Sequence, residues 1–160
     1  MSDKRLEDGW IERRNALRAK ACCNDPGAML FLSMIMDAVE VWDDLVDKDK
    51  VISTEDINRV FMNLVFWLPQ NKFFESGKSY LLPIMMTCVN AWMDSDALAK
   101  TGDKRKLQAA WWLKQMGVEM YGAVAFLTGG FDHMRAISLE ARELLAHEDF
   151  TDYLQEQDHA

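Results

Sequence analysis

The residues best suited to chemistry lie in the stretch DAVEVWDDLVDKDK, residues 37–50, where Asp37, Glu40, Asp43, Asp44 and Asp47 fall within eleven residues. Stepped around a helix of 3.6 residues per turn, the five acids share one arc of roughly 120°. Ala38, Val39, Val41, Trp42, Leu45 and Val46 fill the opposite side, an amphipathic pattern. The arrangement is costly. Glu40–Asp44 and Asp43–Asp47 are like-charge pairs one turn apart, each unfavourable by about 0.2–0.5 kcal/mol. Negative charge near a helix C-terminus also opposes the macrodipole, by about 0.3–1 kcal/mol per charge. No lysine relieves the run before Lys48, so a cation is expected to visit this face. One candidate is Mg²⁺, which takes carboxylate oxygens, keeps several waters and often bridges to phosphate. The alternatives are a solvated face, or acids paired with arginines of a neighbouring helix.

Other residues are placed to complete such a site. In the segment SYLLPIMMTCVNAWMDSDALAK, Thr87, Asn90 and Asp94 share one helix face, and Asn90 and Asp94 are candidate ligands opposite the acids. A partnered polar stripe is the other reading, since buried polar groups usually find hydrogen bonds. Trp10, Arg14 and Arg18 recur at four-residue spacing. Two guanidiniums on one face suit bidentate phosphate binding, and equally suit neutralising the acids of the next helix. Glu119 stands near Gln108 and Gln115 on a helix rich in Trp and Met, as a further ligand, a base or a surface residue. His133, His147 and His159 have no Ser or Cys at an interpretable spacing, so no nucleophile–base pair is named. Gly129-Gly130 lacks the residues of a phosphate loop.

Asp43-Asp44-Leu45-Val46-Asp47 reads DDxxD. It resembles the first aspartate-rich motif of class I isoprenoid synthases, all-helical enzymes that hold a substrate diphosphate through Mg²⁺. The spacing puts two carboxylates one turn apart on a common face. The Asn90/Asp94 helix is loosely similar to the second metal-binding motif of terpene synthases. Glu40-xx-Asp43 resembles in part the acidic pattern of all-helical nucleotide pyrophosphohydrolases. Over Trp42–Lys50, Asp56–Phe61 and Trp67–Asn71 the chain is similar to short helical proteins encoded by bacteriophages, which implies a viral context and a cytoplasmic location in an infected host.

The elements that must position these residues are helices. Apolar residues follow a helical rhythm with no sustained alternation, and Pro and Gly are sparse. Helices are expected over about Lys4–Cys23, Ala28–Asp47, Thr54–Trp67, Ser79–Lys100, Lys104–Leu127 and from about Asp132 to His147. Asn24-Asp25-Pro26-Gly27 and Gly102-Asp103 are breakers, and Gly129-Gly130 is a helix stop. Ser53 with Asp56 approximates a capping box. Gln70–Gly77 is expected as a turn-rich link with a helical turn at Phe73–Glu75, and Phe150–Leu154 as a short turn. The expected architecture is an all-α, single-domain antiparallel bundle of five to six helices over residues 1–154, with a polar tail at 155–160.

Composition narrows the function. A chain of 160 residues with 49% apolar residues has enough material for one core. The formal charge of −8 argues against nucleic acid and anionic membrane as partners. No apolar run approaches a membrane span, and the charged N-terminus is unlike a signal peptide. Cys22, Cys23 and Cys88 form neither a zinc pattern nor a disulfide framework and read as reduced thiols. Eleven Met and six Trp suit interfaces, so a homo-oligomer is expected as one outcome. Two functions follow. One is a Mg²⁺-dependent handler of a diphosphate-containing small molecule, with Asp37, Glu40, Asp43, Asp44, Asp47, Asn90 and Asp94 on the metal and Arg14 and Arg18 on phosphate. The other is a non-catalytic phage accessory, assembly or virion protein whose acidic face docks a basic partner.

Overall fold

In the computed structural model, which describes residues 9–48, 50–145 and 150–157, the chain is an all-α single-domain bundle. Lys4, His147, His159 and the last residues of the expected tail lie outside the described residues. The elements are α1 (Trp10–Ala21), α2 (Pro26–Asp47), α3 (Thr54–Met62), α4 (Lys72–Ala99), α5 (Lys104–Lys114), α6 (Glu119–Leu145) and α7 (Phe150–Gln157). A π-helical turn, Asn63–Trp67, and a 3₁₀ turn, Leu68–Gln70, join α3 to α4, and a 3₁₀ turn, Gln115–Val118, joins α5 to α6. Among the described residues no helix is long and apolar enough to cross a membrane.

Side-chain caps fix the helix starts. Asp25 accepts from the Ala28 N–H at 2.7 Å with Pro26 in the first turn, as the breaker Asn24–Gly27 implies. Ser53 accepts from the Asp56 N–H at 3.1 Å and donates its hydroxyl to the Asp56 carboxylate at 2.6 Å. Asp103 caps α5 through the Arg105 N–H at 2.9 Å.

Three expected boundaries move. The link expected at Gln70–Gly77 is the first part of α4, which starts at Lys72 instead of Ser79. Asn71 is responsible: its side-chain oxygen accepts from the Phe74 N–H, and its amide donates to the Gly27 carbonyl, both at 2.9 Å. That second bond ties the start of α4 to the start of α2. Gly77, the end of the expected link, is a close-contact position within α4, because a Cβ there would lie 2.8 Å from Leu127 Cδ1. The expected helix Lys104–Leu127 is interrupted at Gln115–Val118, around Gly117. At the C-terminus the expected turn at Phe150–Leu154 is an eight-residue helix that runs through the expected tail boundary.

The stop expected at Gly129-Gly130 is a reversal. Gly130 has φ 80° and ψ −171°, and the chain continues as helix on both sides of it. The Glu119 carboxylate reaches Arg142, and a Cβ on Gly122 would lie 2.7 Å from Ser138 Oγ. A straight helix would hold residues 23 apart at about 35 Å. The two limbs of α6 therefore lie side by side, with α1 packed against them.

The main core gathers Leu17 of α1, Phe31, Leu32 and Ile35 of α2, Leu81 of α4, and Tyr121, Val124 and Ile137 of α6. Phe31 stacks on Phe74 with ring centroids 5.6 Å apart. A smaller cluster of Leu107, Ala110 and Tyr153 seats α7 on α5. These contacts seat the N-terminal half of α2 in the core, and its remaining packing is against α1, α3, α4 and α6.

Candidate functional site: the acidic end of α2

Most of the acids of α2 are turned partly toward protein, with Glu40 half exposed. The side chains of Asp43, Asp44 and Asp47 are only 32%, 20% and 27% exposed. Leu45 and Val46, expected on the buried side, are instead 46% and 41% exposed. Over its last turns α2 thus turns its carboxylates toward neighbouring helices and part of its apolar arc toward solvent. Burying charge this way is tolerable only if each charge finds a partner.

Each acid has one. Arg59 of α3 forks onto Asp37, with Nε to Oδ2 at 3.0 Å and Nη2 to Oδ1 at 2.7 Å, and also binds Asp56. Glu40 receives Arg14 of α1 at 3.1 Å. Lys50 lies 3.3 Å from Asp44. Lys114 of α5 lies 2.6 Å from Asp47 and 3.8 Å from Asp43. Asp43 is further held by the indole N–H of Trp92, at 2.8 Å. Burial pushes the Asp43 carboxyl above the usual carboxylate range, and Lys114 and Trp92 oppose that shift.

The predicted ligands on α4 do not join this cluster. The Asn90 amide donates to Asp94 Oδ2 at 2.9 Å, an i,i+4 bond on an exposed face. Trp92, between them, is the α4 residue that reaches α2. Among the described residues no three His, Cys, Asp or Glu side chains are grouped so that they could hold a metal ion.

The two predicted phosphate ligands are also engaged. Arg14 lies over the Trp10 ring, 4.7 Å from its centroid, while bound to Glu40. Arg18 donates to Ser33 Oγ and Asn15 Oδ1, both at 2.6 Å. Glu119 is paired with Arg142 across the α6 reversal. The Gln115 amide donates to the Trp111 carbonyl at 3.3 Å.

Sequence reasoning missed Arg59, Lys114 and Trp92. A basic residue on an adjacent helix was the only available signal, and nothing in the chain order says that Lys114 lies against Asp47. It also missed a Cys–His contact: Cys23 Sγ lies 3.5 Å from His133 Nε2. The same nitrogen lies 3.1 Å from the Lys20 carbonyl oxygen, which can only accept. With Nε2 protonated, the ring donates to the Lys20 carbonyl and Cys23 Sγ lies beside that N–H.

No protein-family model matches the chain, and neither a curated protein nor a solved structure is significantly similar to it. The site must be read from its own geometry. Four intrachain cations are spread over five carboxylates, which makes the acidic end of α2 a clamp that joins α1, α3 and α5.

Proposed function

We propose that this protein acts by association and not by catalysis, as a cytoplasmic helical accessory or assembly component of the kind its sequence resembles in bacteriophages. The surface it uses is the outer face of α3 and the π turn, and the occupant is a second copy of the chain. One observation carries this reading. α3 has no buried residue, and Ile57, Phe61, Met62, Leu64, Val65, Phe66 and Trp67 are each at least 36% exposed. Seven large apolar side chains in eleven residues amount to on the order of 500 Å² of apolar surface, at the upper end of what a monomer carries. Two such faces together reach about 1,000 Å², the lower bound for a specific interface. The acidic face, by contrast, is matched internally and offers a basic partner little free charge.

Sedimentation velocity at rising protein concentration tests this. The expected result is a monomer–dimer equilibrium that Phe61→Asp or Trp67→Ser shifts to monomer without loss of helical content. A chain that stays monomeric at every concentration overturns the proposal.

A second reading keeps Mg²⁺ and a diphosphate. It is favoured by the convergence of Asp43 and Asp47 on one ammonium, that of Lys114, where a hydrated cation would bridge the same pair. Trp42 and Trp92 lie beside these acids and report on them. A saturable fluorescence change on Mg²⁺ or Mn²⁺ titration, with a raised melting temperature, carries this reading. Its absence removes it.

A further inference from the structure

The reversal of α6 builds a cavity. Its two limbs and α4 border an open-sided cavity of about 420 Å³, within the range of about 300–1,000 Å³ typical of small-molecule sites. Ile84 and Pro83 of α4, with Met116, Ala123 and Met134, make an apolar body. Gly122 leaves the meeting of the limbs bare, since a Cβ there would run into Ser138 Oγ.

Polar groups line it from all three sides: Thr87 and Cys88 of α4, Glu119 of the first limb, and Arg135, Ser138 and Arg142 of the second. Arg135 and Arg142 are seven residues apart, two turns along one helix face, and both line the cavity. Arg142 already has partners, the Glu119 carboxylate and the Ser138 carbonyl at 3.1 Å. Arg135 is exposed and, among the described residues, forms no hydrogen bond or ion pair. The cavity thus combines an apolar interior with one unmatched guanidinium at its edge.

We propose that this cavity binds a single-chain amphipathic anion, with the aliphatic body between α4 and the α6 limbs and a carboxylate or phosphate head on Arg135. The site is separate from the α3 face and from the acids of α2. The guanidinium offers two parallel N–H donors to either head group. The apolar lining supplies the affinity and the arginine orients the ligand.

Calorimetric titration with decanoate, below its micelle concentration, tests the proposal. The wild-type chain is expected to bind one equivalent. Arg135→Gln is expected to weaken binding about tenfold, by loss of a charge-assisted pair. Thr87→Trp, an exposed lining position on α4, is expected to abolish binding by filling the mouth. Decanol, with the same tail and no charge, is expected to bind more weakly than decanoate. Unchanged circular dichroism and melting temperature show that both variants fold. Co-sedimentation with phosphatidylglycerol vesicles that Arg135→Gln removes assigns the ligand to a bilayer source, and decanoate binding without co-sedimentation assigns it to a free acid. No saturable decanoate binding, or equal binding by both variants and by decanol, overturns the site.

Discussion

Trp92 of α4 donates its indole N–H to Asp43 of α2 at 2.8 Å, while its ring lies 4.2 Å from that of Trp42. One side chain thus satisfies a half-buried carboxylate and packs against the residue beside it. The contact places an aromatic pair and an acid at the centre of the α2–α4 seam, and it makes Asp43 a charge held under strain.

That strain has a sign. Burial raises the Asp43 carboxyl, so the folded chain holds this proton more tightly than the unfolded one. The associated stability is fully present below the unfolded value, about 3.9, and is lost as pH rises through the higher folded value. Asp43→Asn keeps an oxygen for the Trp92 N–H and removes the charge. The variant is expected to melt above the wild type at pH 7, with a gap that narrows toward pH 4. A variant that melts well below the wild type at pH 7 would contradict this.

Lys114 serves two carboxylates one turn apart. Lys114→Met leaves Asp43 and Asp47 facing each other across that turn, at a cost on the order of 1 kcal/mol after allowance for partial exposure. Because the residues are in contact, adding Asp43→Asn should return part of the loss. Urea unfolding of the two single variants and the double variant measures the coupling, and strict additivity would refute it.

Asn71 caps α4 and holds the Gly27 carbonyl from a buried position. Asn71→Ala removes a cap and the side-chain bond that ties α4 to the start of α2, for a combined loss of about 1–2 kcal/mol. A urea midpoint within error of the wild type would show that water replaces both bonds.

Gly130 occupies a backbone region that only glycine enters cheaply, although a Cβ there would meet nothing within 4 Å. Gly130→Ala should therefore cost about 1–3 kcal/mol through backbone strain alone. The two limbs should still pair, so far-UV circular dichroism is expected to be unchanged while the melting temperature drops.

The three thiols should separate by reactivity. Burial pushes Cys22 up to about 12 and Cys88 up to about 11, so both are protonated at pH 8. Cys23 is exposed. With a disulfide reagent at pH 8, Cys23 should react fast, Cys88, partly buried on the cavity wall, more slowly, and Cys22 only on unfolding. Three equal rates would rule out this burial pattern.

Much of the fold was legible because helices announce themselves by period. The breakers at Asn24–Gly27 and Gly102-Asp103, the Ser53 cap and the stop at Gly129-Gly130 all mark real turns of the chain. The start of α4 was not legible, because Asn71 earns its role through a carbonyl 44 residues away. The clustering of acids on α2, and the need for positive charge beside them, could be read locally. Of the cations that answer that need, Arg14 could be named from its spacing and pairs with Glu40, whereas Arg59 and Lys114 could not, since they arrive by tertiary packing. The exposure of Leu45 and Val46 has the same origin: which arc of a helix meets protein is decided by its neighbours and not by its own pattern.

The π turn at Asn63–Trp67, where the Leu68 N–H reaches back to the Asn63 carbonyl, accommodates one residue more than an α-helical turn would. It sets the phase between α3 and everything after Pro69. Excising a single amino acid here would let the turn tighten into ordinary helix and swing Phe61 and Ile57 about the axis relative to Phe66 and Trp67. The segment should therefore tolerate changes of identity far better than changes of length, and a one-residue deletion should scramble the outer face while leaving the core of the bundle assembled.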